Sequence, residues 1–71
     1  MDEFALLNFN GQLFNEVKML DGTIFTVGQP YLQTAVTILE IKLFYGLIKI
    51  TGDAGTPRYY RWEAVEYVDP L

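Results

Sequence analysis

Turn-forming residues cut this chain into runs too short for long helices. Asn10-Gly11, Asp21-Gly22, Gly28-Gln29-Pro30, Gly46, Gly52-Asp53-Ala54-Gly55-Thr56-Pro57 and Asp69-Pro70 each favour a change of direction. Glycine reaches positive φ at little steric cost, and proline presets φ and lacks an amide donor. The runs between these signals are rich in Val, Ile, Thr, Phe and Tyr. Such side chains pack well on a pleated, half-buried surface, so the pattern predicts short strands.

The first run, 4–9, has two readings. Asp2 can cap a short helix through Ala5, Leu6 and Leu7 that ends at Gly11. Asn10-Gly11 can instead turn a hairpin between two apolar runs. Asp21-Gly22 predicts a clearer hairpin, joining 13–20 to 23–27. A two-residue type I′ turn there sets Leu20 opposite Thr23, Met19 opposite Ile24, Lys18 opposite Phe25 and Val17 opposite Thr26. Val17, Met19 and Ile24 then share the core face, while Phe14 and Phe25 lie outside with Glu16 and Lys18.

Residues 31–45 carry two periodicities. Leu32, Ala35, Val36, Leu39 and Leu43 have helical spacing, whereas Leu39, Ile41, Leu43 and Tyr45 alternate with Glu40 and Lys42. Thr34, Val36, Thr37, Ile38 and Ile41 are β-branched and stiff in a helix. A helix would also leave Ile38, Ile41 and Phe44 off its apolar stripe. A turn near Pro30 followed by a strand over 35–45 is the stronger reading. Gly46 interrupts this run as a bulge or sharp bend. Residues 47–62 read as a hairpin around the 52–57 loop. Glu63-Ala64 suits one helical turn, and 65–68 a last strand.

The expected fold is mainly β: a small barrel or roll of five to six short strands, with a short N-terminal helix as the alternative for 4–9. The order of a hairpin, an extended strand pair, a short turn and a final strand resembles an SH3-like barrel. The resemblance is one of architecture, no motif ties the chain to a family, and such a fold does not fix function.

Seventy-one residues make one domain, close to the smallest that folds on its own core. The sequence has no cysteine for disulfides and no histidine, so no structural zinc site is expected. Hydrophobic residues are 51% of the chain, with five Phe, five Tyr and Trp62. So small an interior cannot hide all of this, and exposed apolar surface favours a protein partner or a second copy. The formal net charge of −4 opposes generic binding to a nucleic-acid backbone. The longest uncharged stretch, 22–39, holds four threonines, two glutamines, Gly28 and Pro30, and makes a poor membrane span. The acidic start, Met1-Asp2-Glu3, is unlike a signal peptide, and a cytoplasmic location is expected.

Catalysis has little to work with. Without histidine or cysteine, the remaining acid–base groups are carboxylates such as Glu63, Glu66 and Asp69, whose spacing suits solvated surface charge. No catalytic residue, metal ligand or cofactor is expected. The 51–58 loop has two glycines and Arg58, but it lacks a Walker pattern and Asp53 would repel phosphate. Its one carboxylate is too few for a convincing calcium site. Arg58-Tyr59-Tyr60-Arg61-Trp62 is richer. Alternation turns Tyr60 and Trp62 inward against Ile48 and Ile50, and Tyr59 and Arg61 outward near Lys49. Tyr, Trp and Arg are the residue types enriched in interface hot spots. The uncharged run 43–48 cannot all point into one small core if extended, so either burial on both faces or a self-association interface at Phe44 is expected.

The binding residues expected are therefore Phe14, Phe25, Phe44, Arg58, Tyr59 and Arg61. The function expected is a non-enzymatic, self-associating protein-interaction module, such as a small phage-type inhibitor or accessory factor. Two other readings compete. One is a small-ligand or nucleotide-binding oligomer using Tyr59, Arg61 and the 52–57 loop. The other is a single-stranded nucleic-acid-binding barrel, which the acidic balance disfavours.

Overall fold

Most of the apolar runs become strands in the computed structural model, which describes residues 10–71. The elements are β1 (Leu13–Met19), β2 (Ile24–Thr26), β3 (Ile38–Phe44), β4 (Leu47–Gly52), β5 (Arg58–Arg61), a one-turn 3₁₀ helix (Trp62–Ala64) and β6 (Val65–Pro70). The helix-or-hairpin alternative for 4–9 lies outside the described residues. The strands pair antiparallel in the order β2-β1-β3-β4-β5, with β6 also on β1. β1 is shared by three neighbours: β3 takes Leu13 and Phe14, β2 takes Glu16 to Lys18, and β6 runs along most of its length. The sheet curls into a half-barrel around Phe14, Val17, Met19, Phe25, Ile38, Ile41, Leu43, Ile48 and Ile50, all buried. Each such side chain contributes roughly 1.5–3 kcal/mol by leaving water. No polar side chain among the described residues is buried with them.

The strand reading of 31–45 holds for its second half. The chain turns through 31–34 and Pro30 bridges Thr37 before β3 begins. Ile41 and Leu43 point inward, and Lys42 and Phe44 alternate with them. Leu39 is the extra residue in a bulge between Ile38 and Glu40 and stays exposed.

Two expected face assignments are corrected. β1 and β2 pair one residue out of the predicted register, with Val17 opposite Phe25 and Lys18 opposite Ile24. The turn is three residues long, Leu20 to Gly22: the Met19 amide donates to the Thr23 carbonyl at 2.8 Å, and the Gly22 amide to the Met19 carbonyl at 3.0 Å. Gly22 takes φ +94°, and Asp21 Oδ1 accepts from the Thr23 amide at 2.9 Å. This side-chain bond stabilises the longer turn. A one-residue slip exchanges the faces of a strand. Phe25 therefore enters the core at 1% exposure, and Ile24 stands 51% exposed.

Phe14 also faces inward, at 3% exposure. A bulge lies between Phe14 and Glu16 where they meet Pro70 and Asp69 of β6. The extra residue, Asn15, shifts the phase of alternation so that Phe14 and Val17 both reach the core.

Gly46 proves to be half of a hairpin turn. Tyr45 and Gly46 have φ of +49° and +79°, the pairing of positive angles that a two-residue turn matches to strand twist. Asn10 Oδ1 accepts from the Tyr45 amide at 2.8 Å and holds the non-glycine residue there. The run 43–48 is therefore folded back on itself. Leu43 and Ile48 point inward as a pair, and Phe44 and Leu47 lie half-buried on the other side.

Candidate functional site

The outward side of β3, β4 and β5 collects rings and cations. Strand register sets Lys42 beside Lys49 and Lys49 beside Tyr59; the next row sets Phe44 beside Leu47 and Leu47 beside Arg61. Three of the five cations of an acidic chain thus share one face. Phe44 is its centre. Its ring lies edge-on to Tyr45 at 4.8 Å and tilted against Tyr59 at 6.1 Å. The Lys49 and Lys42 ammonium groups stand 5.0 Å and 5.9 Å from its centroid, within cation–π range. Lys42 also approaches Glu40 at 3.8 Å. Tyr45 and Tyr59 are the two most exposed rings among the described residues, at 69% and 49%. This arrangement can dock an apolar surface that also carries carboxylates.

Tyr60 and Trp62 turn toward the core as expected, half-buried against it. Arg58 follows them by alternation, not Tyr59. Its guanidinium donates to the Thr56 carbonyl at 3.1 Å and lies 5.8 Å from the Tyr31 ring centroid. A small cavity of about 70 Å³ opens there between Tyr31, Val36, Ile50 and the 52–56 loop. The expected group of Tyr59, Arg61 and the 52–57 loop is thus divided within one chain. Arg58 reaches the loop, while Tyr59 and Arg61 belong to the Phe44 face. Phe14 and Phe25 are core residues. Of the six expected binding residues, Phe44, Tyr59 and Arg61 come together.

A second feature lies where the half-barrel is closed by side chains. Phe25 stacks on Tyr31 at 5.5 Å and tilts against Tyr60 at 5.1 Å. The Tyr31 and Tyr60 hydroxyls share a hydrogen bond. Desolvation by burial, then this bond, pushes the Tyr60 hydroxyl well above the ordinary tyrosine range. Above these rings is an open groove of about 400 Å³ walled by Met19, Leu20, Phe25, Leu32, Tyr60 and Ala64. Asp21 and Thr23 complete its lining. The bond from the Thr23 amide holds the Asp21 carboxyl below its usual range. Leu20 and Leu32 stand 66% and 52% exposed at this groove. Sequence reasoning missed it because its walls come from four separate segments. The one local signal was Asp21-Gly22, which marks the turn but not what the turn overhangs.

On β1, β2 and β6 the outward face carries a polar network beside the exposed Ile24. Glu16 accepts from the Tyr67 hydroxyl at 2.7 Å and the Thr26 hydroxyl at 2.9 Å. These bonds, Tyr67 first, lower the Glu16 pKa, and the carboxylate raises that of Tyr67. Lys18 meets Glu66 at 3.3 Å. No group of three His, Cys, Asp or Glu among the described residues gathers closely enough to hold a metal ion. No helix among them is long and apolar enough to cross a membrane.

Comparison with family models, with curated proteins and with solved structures finds no match to this chain. What the fold and site define is a class: a small antiparallel half-barrel whose described residues form an aromatic, basic face and an apolar groove.

Proposed function

We propose that this chain is a non-enzymatic protein-interaction module that self-associates, with the Phe44 face as its docking surface. One observation carries the reading. Tyr45 and Tyr59 stand exposed around the Phe44 ring, on a face that also carries Lys42, Lys49 and Arg61, in a chain whose net charge is −4. Rings and arginine at the centre of a patch are what protein hot spots use, and exposed apolar area favours burial by a partner. The strand path β6-β1-β3-β4-β5, with a 3₁₀ turn before the last strand, supports an SH3-like reading of the fold.

Sedimentation equilibrium from micromolar to millimolar protein tests the function. Average mass should rise with concentration, and Tyr59→Ser combined with Lys49→Glu should weaken the rise about tenfold or more. A strictly monomeric wild type refutes self-association. An oligonucleotide affinity that falls steeply with salt would move the function to nucleic acid.

A further inference from the structure

The self-associating reading is the ground for naming the two surfaces that meet. Two copies joined through the same Phe44 face would bring Lys42, Lys49 and Arg61 against their own duplicates. Like charges opposed across an interface are unfavourable, so the second surface should be apolar and acidic. The groove beside Tyr60 meets both conditions. Its walls are apolar, Asp21 lies on its lining, and Glu63 sits one residue before Ala64 on the 3₁₀ turn. The projecting part of the Phe44 face is the β3–β4 turn. There Tyr45 is 69% exposed and braced edge-on by Phe44, over whose ring the Lys42 and Lys49 ammonium groups stand. A groove of about 400 Å³ has room for one aromatic side chain.

We propose that the β3–β4 turn of one copy, led by Tyr45, seats in the Leu20–Leu32–Tyr60 groove of a second copy, with its lysines toward Asp21. The contact is heterologous. Each copy presents one knob and one groove, so the assembly grows beyond a dimer into a ring or an open chain.

Complementation between two blocked variants tests this. Tyr45→Asn removes the knob and keeps a residue type that tolerates φ +49°. Leu20→Lys with Leu32→Asn spoils the groove at two exposed positions, the lysine by setting a like charge against the incoming lysines, and Asn again suits the φ +53° of Leu32. Circular dichroism checks that both fold. Wild type should form species larger than a dimer. Each variant alone should associate about tenfold more weakly or worse, and their equimolar mixture should form a 1:1 dimer that grows no further. Asp21→Asn, which can still accept from the Thr23 amide, should lower wild-type association and flatten its salt dependence.

A mixture that stays monomeric while wild type associates overturns the knob-and-groove contact and leaves self-association standing. Either variant dimerising alone with wild-type affinity overturns it as well. A wild type that is monomeric throughout removes both this contact and the reading it rests on.

Discussion

Exchanging the fates of neighbouring residues Ile24 and Phe25 tests the register of β2 directly. In the structure Phe25 is 1% exposed between Val17, Tyr31 and Tyr60, while Ile24 is 51% exposed beside Lys18. Phe25→Ala leaves a cavity the size of a ring and breaks two aromatic contacts. Such truncations cost about 3–5 kcal/mol. A domain of this length has roughly 4–10 kcal/mol of total stability, so this variant should be largely unfolded or close to it. Phe25→Leu, which refills most of the space, should cost about 1–1.5 kcal/mol. Ile24→Thr keeps a β-branched residue on an exposed strand position and should change stability by less than about 0.5 kcal/mol. Urea titration followed by Trp62 fluorescence gives all three values, provided the slope with denaturant is unchanged. The two-residue-turn register predicts the reverse order, with Ile24 in the core and Phe25 outside. If Ile24→Thr costs more than Phe25→Leu, the three-residue turn and the placement of the groove above Phe25 are both wrong.

Two further predictions follow from local geometry. Acid should remove the contribution of Glu16: its pKa is lowered on folding, so the stability is present above the usual glutamate range and fades as pH falls through the folded value. Urea midpoints of wild type and Tyr67→Phe should therefore converge at acidic pH, and a constant difference would refute the linkage. Gly46→Ala places a Cβ on a residue at φ +79° and should cost about 1 kcal/mol by the same titration, although no neighbouring atom obstructs it. A neutral result would mean that the β3–β4 turn has another backbone shape.

The sequence determined where the chain turns and which periodicity its runs carry. Both are local properties. Glycine with positive φ, proline, and β-branched alternation act within a few residues, so strands within 35–45, 47–52 and 58–62, a helical turn at Glu63-Ala64 and the outward aim of Tyr59 were legible, with ends displaced by one to three residues. Tertiary structure decided the phase. One residue more in the Asp21-Gly22 turn moved Phe25 from the outside to the core, and one extra residue at Asn15 did the same for Phe14. Neither choice is local: Phe25 depends on finding Tyr31 and Tyr60, and Phe14 on pairing with Ile41 of β3. The Phe44 face and the groove were settled in the same way. Lys42, Lys49 and Tyr59 become neighbours only when three strands pair, and Leu20, Leu32, Tyr60 and Ala64 meet only when the sheet curls, because burial rewards contacts that separation along the chain cannot reveal.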